Sequence, residues 1–153
     1  VSVLLGIDLG ERRIGLATGD TASGAIRPLS TLTRGTTEHD IATLRRLCQE
    51  LGAEAVVVGL PLHIDGSESW QSARTRSWAA ALADGLDIPV SLRDERLTSV
   101  AAESRMGRRP RGRSGGAPSP QARRAWRARI DREAAADIVQ RELDERTSPA
   151  GPA

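Results

Sequence analysis

Three acidic residues stand in contexts that suit one shared site: Asp8 within Gly6-Ile7-Asp8-Leu9-Gly10, Glu95 within Asp94-Glu95-Arg96-Leu97-Thr98, and Asp131 within Ile130-Asp131-Arg132-Glu133-Ala134-Ala135. The first lies inside an apolar strand pattern, the second just past another, and the third at the start of a helical pattern. A carboxylate at the middle of a buried strand is costly unless something pairs with it. Three that converge would suit hard divalent cations, which prefer oxygen ligands. Carboxylates that hold such ions are a standard means of hydrolysing phosphodiesters.

Taken singly, each motif has more than one use. Asp8-x-Gly10 ahead of a turn fits a metal ligand on a first strand. It also fits the phosphate loop of ATPases of the actin and hexokinase type. Asp94 and Glu95 both follow the strand pattern of 88–92, where functional side chains gather at the carboxyl end of a parallel strand. Spacing does not choose between them. Asp131 suits a helix N-terminus, where the backbone dipole and free N–H groups stabilise a carboxylate. Asp137, six residues further on, is rotated well off the Asp131 face at about 100° per residue and is expected in solvent.

The elements that must position these acids are legible from periodicity. Val3, Leu5, Ile7 and Leu9 alternate as a strand; a hairpin turn over 10–13 leads into a second at 14–18. A third strand is expected around 25–32, at an edge or interrupted because of Pro28. Thr36 or Thr37 caps a helix with Ile41, Leu44, Leu47, Cys48 and Leu51 on one face, ended by Gly52. The unbroken apolar run 55–60 predicts a strand buried on both sides, closed by Pro61. A helix over about 70–83, a fifth strand through Ile88, Val90 and Leu92, and a short helix over 98–106 follow. The Gly-, Pro-, Ser- and Arg-rich stretch 107–120 predicts a mobile loop, and a last helix runs through Ile130, Ala134, Ala135 and Ile138. This is an α/β order in one domain over 1–146, with a frayed tail at 147–153.

The formal net charge of +2 conceals an asymmetry. Residues 104–129 hold nine arginines and no acid, while the other 13 basic residues face 20 acids, so a body of −7 carries a segment of +9. Such a run beside carboxylates reads as an element that docks a polyanion. One cysteine excludes an internal disulfide and fits a reducing compartment. Cys48 reads as core. No segment is long and apolar enough to cross a membrane, and a cytoplasmic location is expected. Two histidines and one cysteine without close spacing do not suggest zinc. His39 is expected in solvent, whereas His63, after the Gly59-Leu60-Pro61 strand end, is a candidate to approach substrate. Of the three tryptophans, Trp78 reads as core, Trp70 as exposed near Arg74 and Arg76, and Trp126 as a cap on the core. So few aromatic platforms point to recognition of phosphate position and shape rather than base-by-base stacking.

Together the segments Asp8-Leu9-Gly10-Glu11-Arg12-Arg13-Ile14-Gly15-Leu16-Ala17, Val57-Val58-Gly59-Leu60-Pro61, Asp65-Gly66-Ser67, Asp94-Glu95-Arg96-Leu97-Thr98 and Ile130-Asp131 with Ala134-Ala135 resemble the YqgF/RuvX family. Its members are described as Holliday junction resolvases and as pre-16S ribosomal RNA nucleases. The resemblance spans about 3–145, in the family's order. It implies an RNase H-like fold, a central mixed five-stranded sheet flanked by helices, with Asp8, Glu95 and Asp131 as catalytic acids and metal ligands. It selects Glu95 over Asp94, and it casts Arg13 and Arg96 as phosphate contacts or as residues that fix the acids. Segment 107–129 departs from the family's shorter basic link, and Arg108, Arg109, Arg111 and Arg113 within it are expected to bind nucleic acid.

The implied activity is two-metal hydrolysis with Mg2+ or Mn2+, no covalent protein nucleophile, and Asp8 bridging the two ions. The implied partner is nucleic acid, either pre-rRNA, free or in ribosomal assembly intermediates, or branched DNA, handled by a monomer or weak homodimer. Maturation of the pre-16S rRNA 5′ end is the first expectation and junction cleavage the second. A non-catalytic RNA-binding assembly factor and an ATP- or phosphate-binding protein are the readings from other classes.

Overall fold

The computed structural model describes residues 2–95, 106, 111–112 and 115–147. In it the alternating segments become β1 (Val3–Leu9), β2 (Arg13–Asp20), β3 (Ile26–Thr33), β4 (Ala53–Leu60) and β5 (Val90–Asp94). The helical patterns become α1 (Thr37–Leu51), α2 (Trp70–Gly85) and α3 (Pro120–Thr147). The strands join in one sheet of order β3-β2-β1-β4-β5. The β1–β2 and β2–β3 pairs are antiparallel, and the β1–β4 and β4–β5 pairs are parallel. β3 is an edge strand, as Pro28 requires, and the β2–β3 register shifts between Leu16 and Ala17, where Pro28 enters the ladder.

Strand alternation divides the core into two layers. Leu5, Ile7, Ile14, Leu16, Val56 and Val58 point to one face, beneath Leu44 and Cys48 of α1 and Trp78 and Leu82 of α2. Leu4, Ala17 and Val57 point to the other, beneath Ala135, Ile138 and Val139 of α3. Each fully buried Leu, Ile or Val contributes about 1.5–3 kcal/mol relative to exposure. Cys48 and Trp78 are core residues, as the patterns indicated. With a period of two, Asp8 shares the face of Leu4 and Gly6, so it looks toward α3.

α1 begins where Thr36 accepts a hydrogen bond from His39 N and stops at Gly52, whose φ of 65° is the left-handed C-cap conformation. The last helix corrects the sequence reading. It starts at Pro120, so Asp131 sits in mid-helix and gains nothing from an N-terminal dipole. Ser119 supplies the start, its Oγ accepting from Ala122 N at 3.0 Å, and proline is preorganised for the first helical position. Ser119-Pro120 was therefore the missed signal. The Ala- and Arg-rich residues that follow are good helix formers. Asp137, expected in solvent, is half-buried, because α3 lies along the sheet and its flanks are partly covered.

α3 is tied to the far edge of the sheet by Arg93 on β5, which pairs with Glu142 and Glu145; Arg146 also reaches Glu142, at 3.0 Å. Glu142 is buried. Arg93→Ala leaves it with Arg146 alone, and the expected loss is about 2 kcal/mol, read from the urea midpoint.

The expected helix over 98–106 falls outside the described residues except for Met106, and so do Arg96, Arg108, Arg109, Arg113 and the 148–153 tail. Within the predicted loop, Gly112 N donates to Gly116 O at 3.1 Å and Gly115 N to Gly112 O at 2.9 Å.

Candidate active site

Asp8 occupies a row of the sheet in which both neighbours are glycine. On β2 it pairs with Gly15. On β4 the pair Ile7–Val58 places Gly59 next in register beside it. Each glycine admits a different acid. A Cβ on Gly15 would overlap the backbone carbonyl of Asp131 and lie 2.9 Å from its Cβ. A Cβ on Gly59 would lie 2.5 Å from Oε2 of Glu95 and would overlap Ile138. Gly6 and Gly19 likewise lie under Val139. Side chains at these positions would lift α3 off the sheet; glycine lets it settle close enough to bring Asp131 to the row of Asp8. Ala134, Ala135 and Ala136 keep the facing surface of the helix small.

Glu95 follows β5 immediately, its N–H donating to Leu60 O at 3.1 Å. Its position continues the α3-facing alternation of Ser91 and Arg93, and its carboxyl is hydrogen-bonded to that of Asp8. Asp8, Glu95 and Asp131 line one pocket of about 240 Å³, together with Gly10, Arg34 and Arg74. Asp94 is not among the lining residues.

Burial and mutual repulsion set the protonation of this pair. Burial pushes Asp8 up to about 6; its hydrogen bond with Glu95 opposes the rise and the Asp131 charge adds to it. Burial, then the Asp8 charge and the hydrogen bond to it, push Glu95 up to about 10, against Arg141. At neutral pH the pair therefore keeps a proton between two carboxyls. Burial also raises Asp131, but Arg13 opposes this most strongly, its Nε donating to Oδ2 at 2.7 Å.

The donor set fits a hard divalent cation. All donors are oxygens, and a proton occupies the contact where a cation would neutralise both carboxylates. Among the described residues no three His, Cys, Asp or Glu stand so that they would hold a metal as they are. Asp131 is engaged by Arg13 instead, so it would have to share its carboxylate between that guanidinium and an ion.

On the β2–β3 side lies a groove of about 690 Å³ between these strands and the first turns of α3, lined by Arg12, Arg13, Arg123, Arg124 and Arg127. Thr31 Oγ1 donates to Ala128 O at 2.8 Å and holds the helix there. Part of the basic segment is thus helical and beside the acids. Arg111 is exposed and does not line the carboxylate pocket. His63 sits in an exposed turn outside the pocket, its N–H donating to Ser67 O, and His39 is exposed at the start of α1. Trp126 is half-buried on α3. Arg34 and Arg74, which sequence reasoning did not single out as site residues, line the pocket from the end of β3 and from α2. Their only signal was their position after a strand and within a helix turn, which many arginines share.

Known proteins share the sequence and fold of this chain. The family model described as "RuvX: Holliday junction resolvase" matches residues 2–145. A protein of Anaeromyxobacter sp. (strain Fw109-5), named "Putative pre-16S rRNA nuclease", is 43% identical over 142 residues, covering 93% of this chain and 96% of its own. One of the same name from Chloroflexus aggregans is 40% identical over 146 residues, covering 95% and 96%. Among solved structures, Thermus thermophilus RuvC in complex with a Holliday junction substrate superposes with a TM-score of 0.54 at 18% identity, covering all of both chains. Fowlpox virus resolvase with its junction DNA gives 0.55 at 9%, covering 95% of this chain and 99% of that one. These likenesses establish the RNase H-like fold of the resolvases, and the chain belongs to the RuvX family.

Proposed function

We propose that this chain is a divalent-metal-dependent endonuclease, acting as one domain on structured nucleic acid, with the 5′ extension of pre-16S ribosomal RNA as its substrate. The observation that carries the reading is the hydrogen-bonded contact of the half-buried Asp8 and Glu95, with Asp131 in the same pocket, beside a groove of five arginines. The names of the relatives support the RNA assignment.

The residues divide the work by chemistry. Asp8, Glu95 and Asp131 would hold Mg2+ or Mn2+, which when bound supplies an activated water and stabilises the leaving oxygen. Loading requires the Asp8–Glu95 pair to release its proton, so affinity for the ion rises with pH. Arg13 fixes the rotamer of Asp131 through the 2.7 Å contact. Arg12, Arg123, Arg124 and Arg127 contact backbone phosphates and set the register of the strand on the acids. Arg96, in the Glu95-Arg96 motif, is assigned a phosphate contact.

Junction cleavage is the second reading, favoured by the description of the family model. It demands paired cuts and therefore two sites in one assembly. A 5′-extended 16S precursor and a four-way DNA junction, each incubated with Mg2+ or Mn2+, separate the two. RNA cutting that Asp8→Asn eliminates supports maturation, and symmetric junction cuts with intact RNA reverse the assignment. Tight binding without either product identifies a non-catalytic RNA-binding factor.

The rest of the basic segment makes a separate prediction. Replacing Arg108, Arg109, Arg111 and Arg113 by Ala should flatten the dependence of log affinity on log salt by about 0.9 per lost duplex phosphate contact. A titration of a labelled duplex across salt concentrations measures the slope; an unchanged slope removes these arginines from the interface.

A further inference from the structure

Trp70 is the first residue of α2 and is 68% exposed, a large apolar surface left in water at the rim of the candidate site. Its placement is rigid. Ser69 and Ser72 cap the helix reciprocally, Ser69 Oγ accepting from Ser72 N at 2.9 Å and Ser69 N donating to Ser72 Oγ at 2.7 Å, while Ser69 Oγ also donates to Pro61 O at 2.6 Å. One turn further on, the guanidinium of Arg74 lies over the indole ring, 4.6 Å from its centre. That contact restrains the ring and adds positive charge beside its face.

Trp70 and Arg74 line a cavity of about 420 Å³ with Arg34, Ser77 and Trp78. Arg34 and Arg74 also line the carboxylate pocket, so the two hollows share a wall of two arginines. Arg34 is held in place by donating from Nη1 to Gly10 O at 2.8 Å. A guanidinium carries more donors than one carbonyl takes, so this residue can also meet a phosphate.

We propose that this cavity is a subsite for one unpaired nucleotide of the RNA substrate, its base stacked on Trp70 and its phosphate held by Arg34 and Arg74, next to the bond that is cut. The proposal rests on the nuclease reading above and narrows it. Nucleotides paired inside a helix are stacked on both faces and offer none to an indole; a single-stranded extension does. A fully paired four-way junction offers no such nucleotide, so the subsite favours an RNA with a single-stranded segment. The chain then reads phosphates with its arginine groove and tests for an unpaired base at one position only. A single platform is consistent with the scarcity of aromatic residues, which argues against base-by-base reading.

Binding without cleavage tests this directly. The protein is titrated in EDTA with an RNA duplex carrying a five-nucleotide overhang, at either end in turn, with the same duplex blunt, and with a four-way DNA junction. Quenching of tryptophan fluorescence is expected with one overhang polarity and not with the blunt duplex or junction. Trp70→Leu should weaken binding of that overhang substrate by about tenfold and leave the blunt duplex unchanged, and Trp70→Phe should restore most of the loss. Equal affinities for overhang and blunt duplex, or an equal loss on both in Trp70→Leu, overturn the subsite while leaving the nuclease reading in place. Failure of every nucleic acid to bind overturns both. Retained affinity with cleavage abolished in Asp8→Asn keeps the nuclease reading, whatever Trp70 does.

Discussion

Asp8→Asn is expected to lower metal-dependent cleavage by on the order of 10³-fold while nucleic-acid affinity stays within a few-fold of the native protein. Asp8 is the acid at the centre of the row, hydrogen-bonded to Glu95 and electrostatically coupled to Asp131. An amide there keeps the shape, still bonds to Glu95 and removes the charge that an ion needs. Single-turnover cleavage alongside a binding titration measures both quantities. Cleavage that persists with affinity lost would take Asp8 out of the metal site and assign it to substrate binding.

The same variant should be more stable than the native protein at alkaline pH when metal is absent. The folded-state pKa of Asp8, about 6, lies above its ordinary 3.8, so the folded state binds the extra proton. Its contribution is fully present below the unfolded pKa and is lost as pH rises through the folded one. Glu95, raised to about 10, extends the same decline to higher pH. The cost attached to Asp8 is on the order of 2–3 kcal/mol at pH 8, several degrees in melting temperature. Thermal melts in EDTA should show Asp8→Asn and native protein close together at pH 4 and apart at pH 8. Added Mg2+ or Mn2+ should restore the native protein and leave the variant unmoved. Superimposable melts at pH 8 would mean that the pair is not buried as described.

Gly15→Ala should produce the second large effect, through geometry rather than charge. The added methyl group overlaps the Asp131 carbonyl, which is backbone in mid-helix and cannot rotate away. α3 has to shift or the strand has to bend, at a cost of about 1–3 kcal/mol for overpacking. A displacement of about 1 Å at Asp131 is enough to lower cleavage by about 10²-fold. Affinity for the duplex should hold within a few-fold, because no arginine is removed. Urea unfolding, cleavage rate and binding titration together separate this outcome from simple misfolding. Native cleavage in a folded Gly15→Ala protein would show that Asp131 tolerates displacement and is not a ligand.

Several elements were legible because short-range physics fixes them. Thr36 and Gly52 bracket α1 as cap and left-handed terminator, and Pro28 forces its strand to the edge. Alternation in 3–9 and 88–92 places Asp8 and Glu95 at the ends of strands. The start of α3 is not marked by apolar periodicity, which begins only at Ile130. The helix before that residue is exposed and arginine-rich, and is started by Ser119-Pro120 instead of by an apolar face.

Arg34 and Arg74 were illegible for a different reason. They are 40 residues apart, and only the packing of the end of β3 against α2 makes them neighbours of the acids. The glycines were visible as glycines in strands, but which acid each one admits depends on register between β1, β2 and β4 and on the line that α3 takes across them. By itself the sequence determined the five strands, the bodies of three helices and the motifs that resemble the family, because periodicity, caps and motif order are local. Tertiary structure alone decided that the carboxyls of Asp8 and Glu95 meet, that Arg13 holds Asp131, and that an exposed tryptophan shares two arginines with the acids. Those are contacts across the sheet, and their energies depend on burial and distance, which no local pattern encodes.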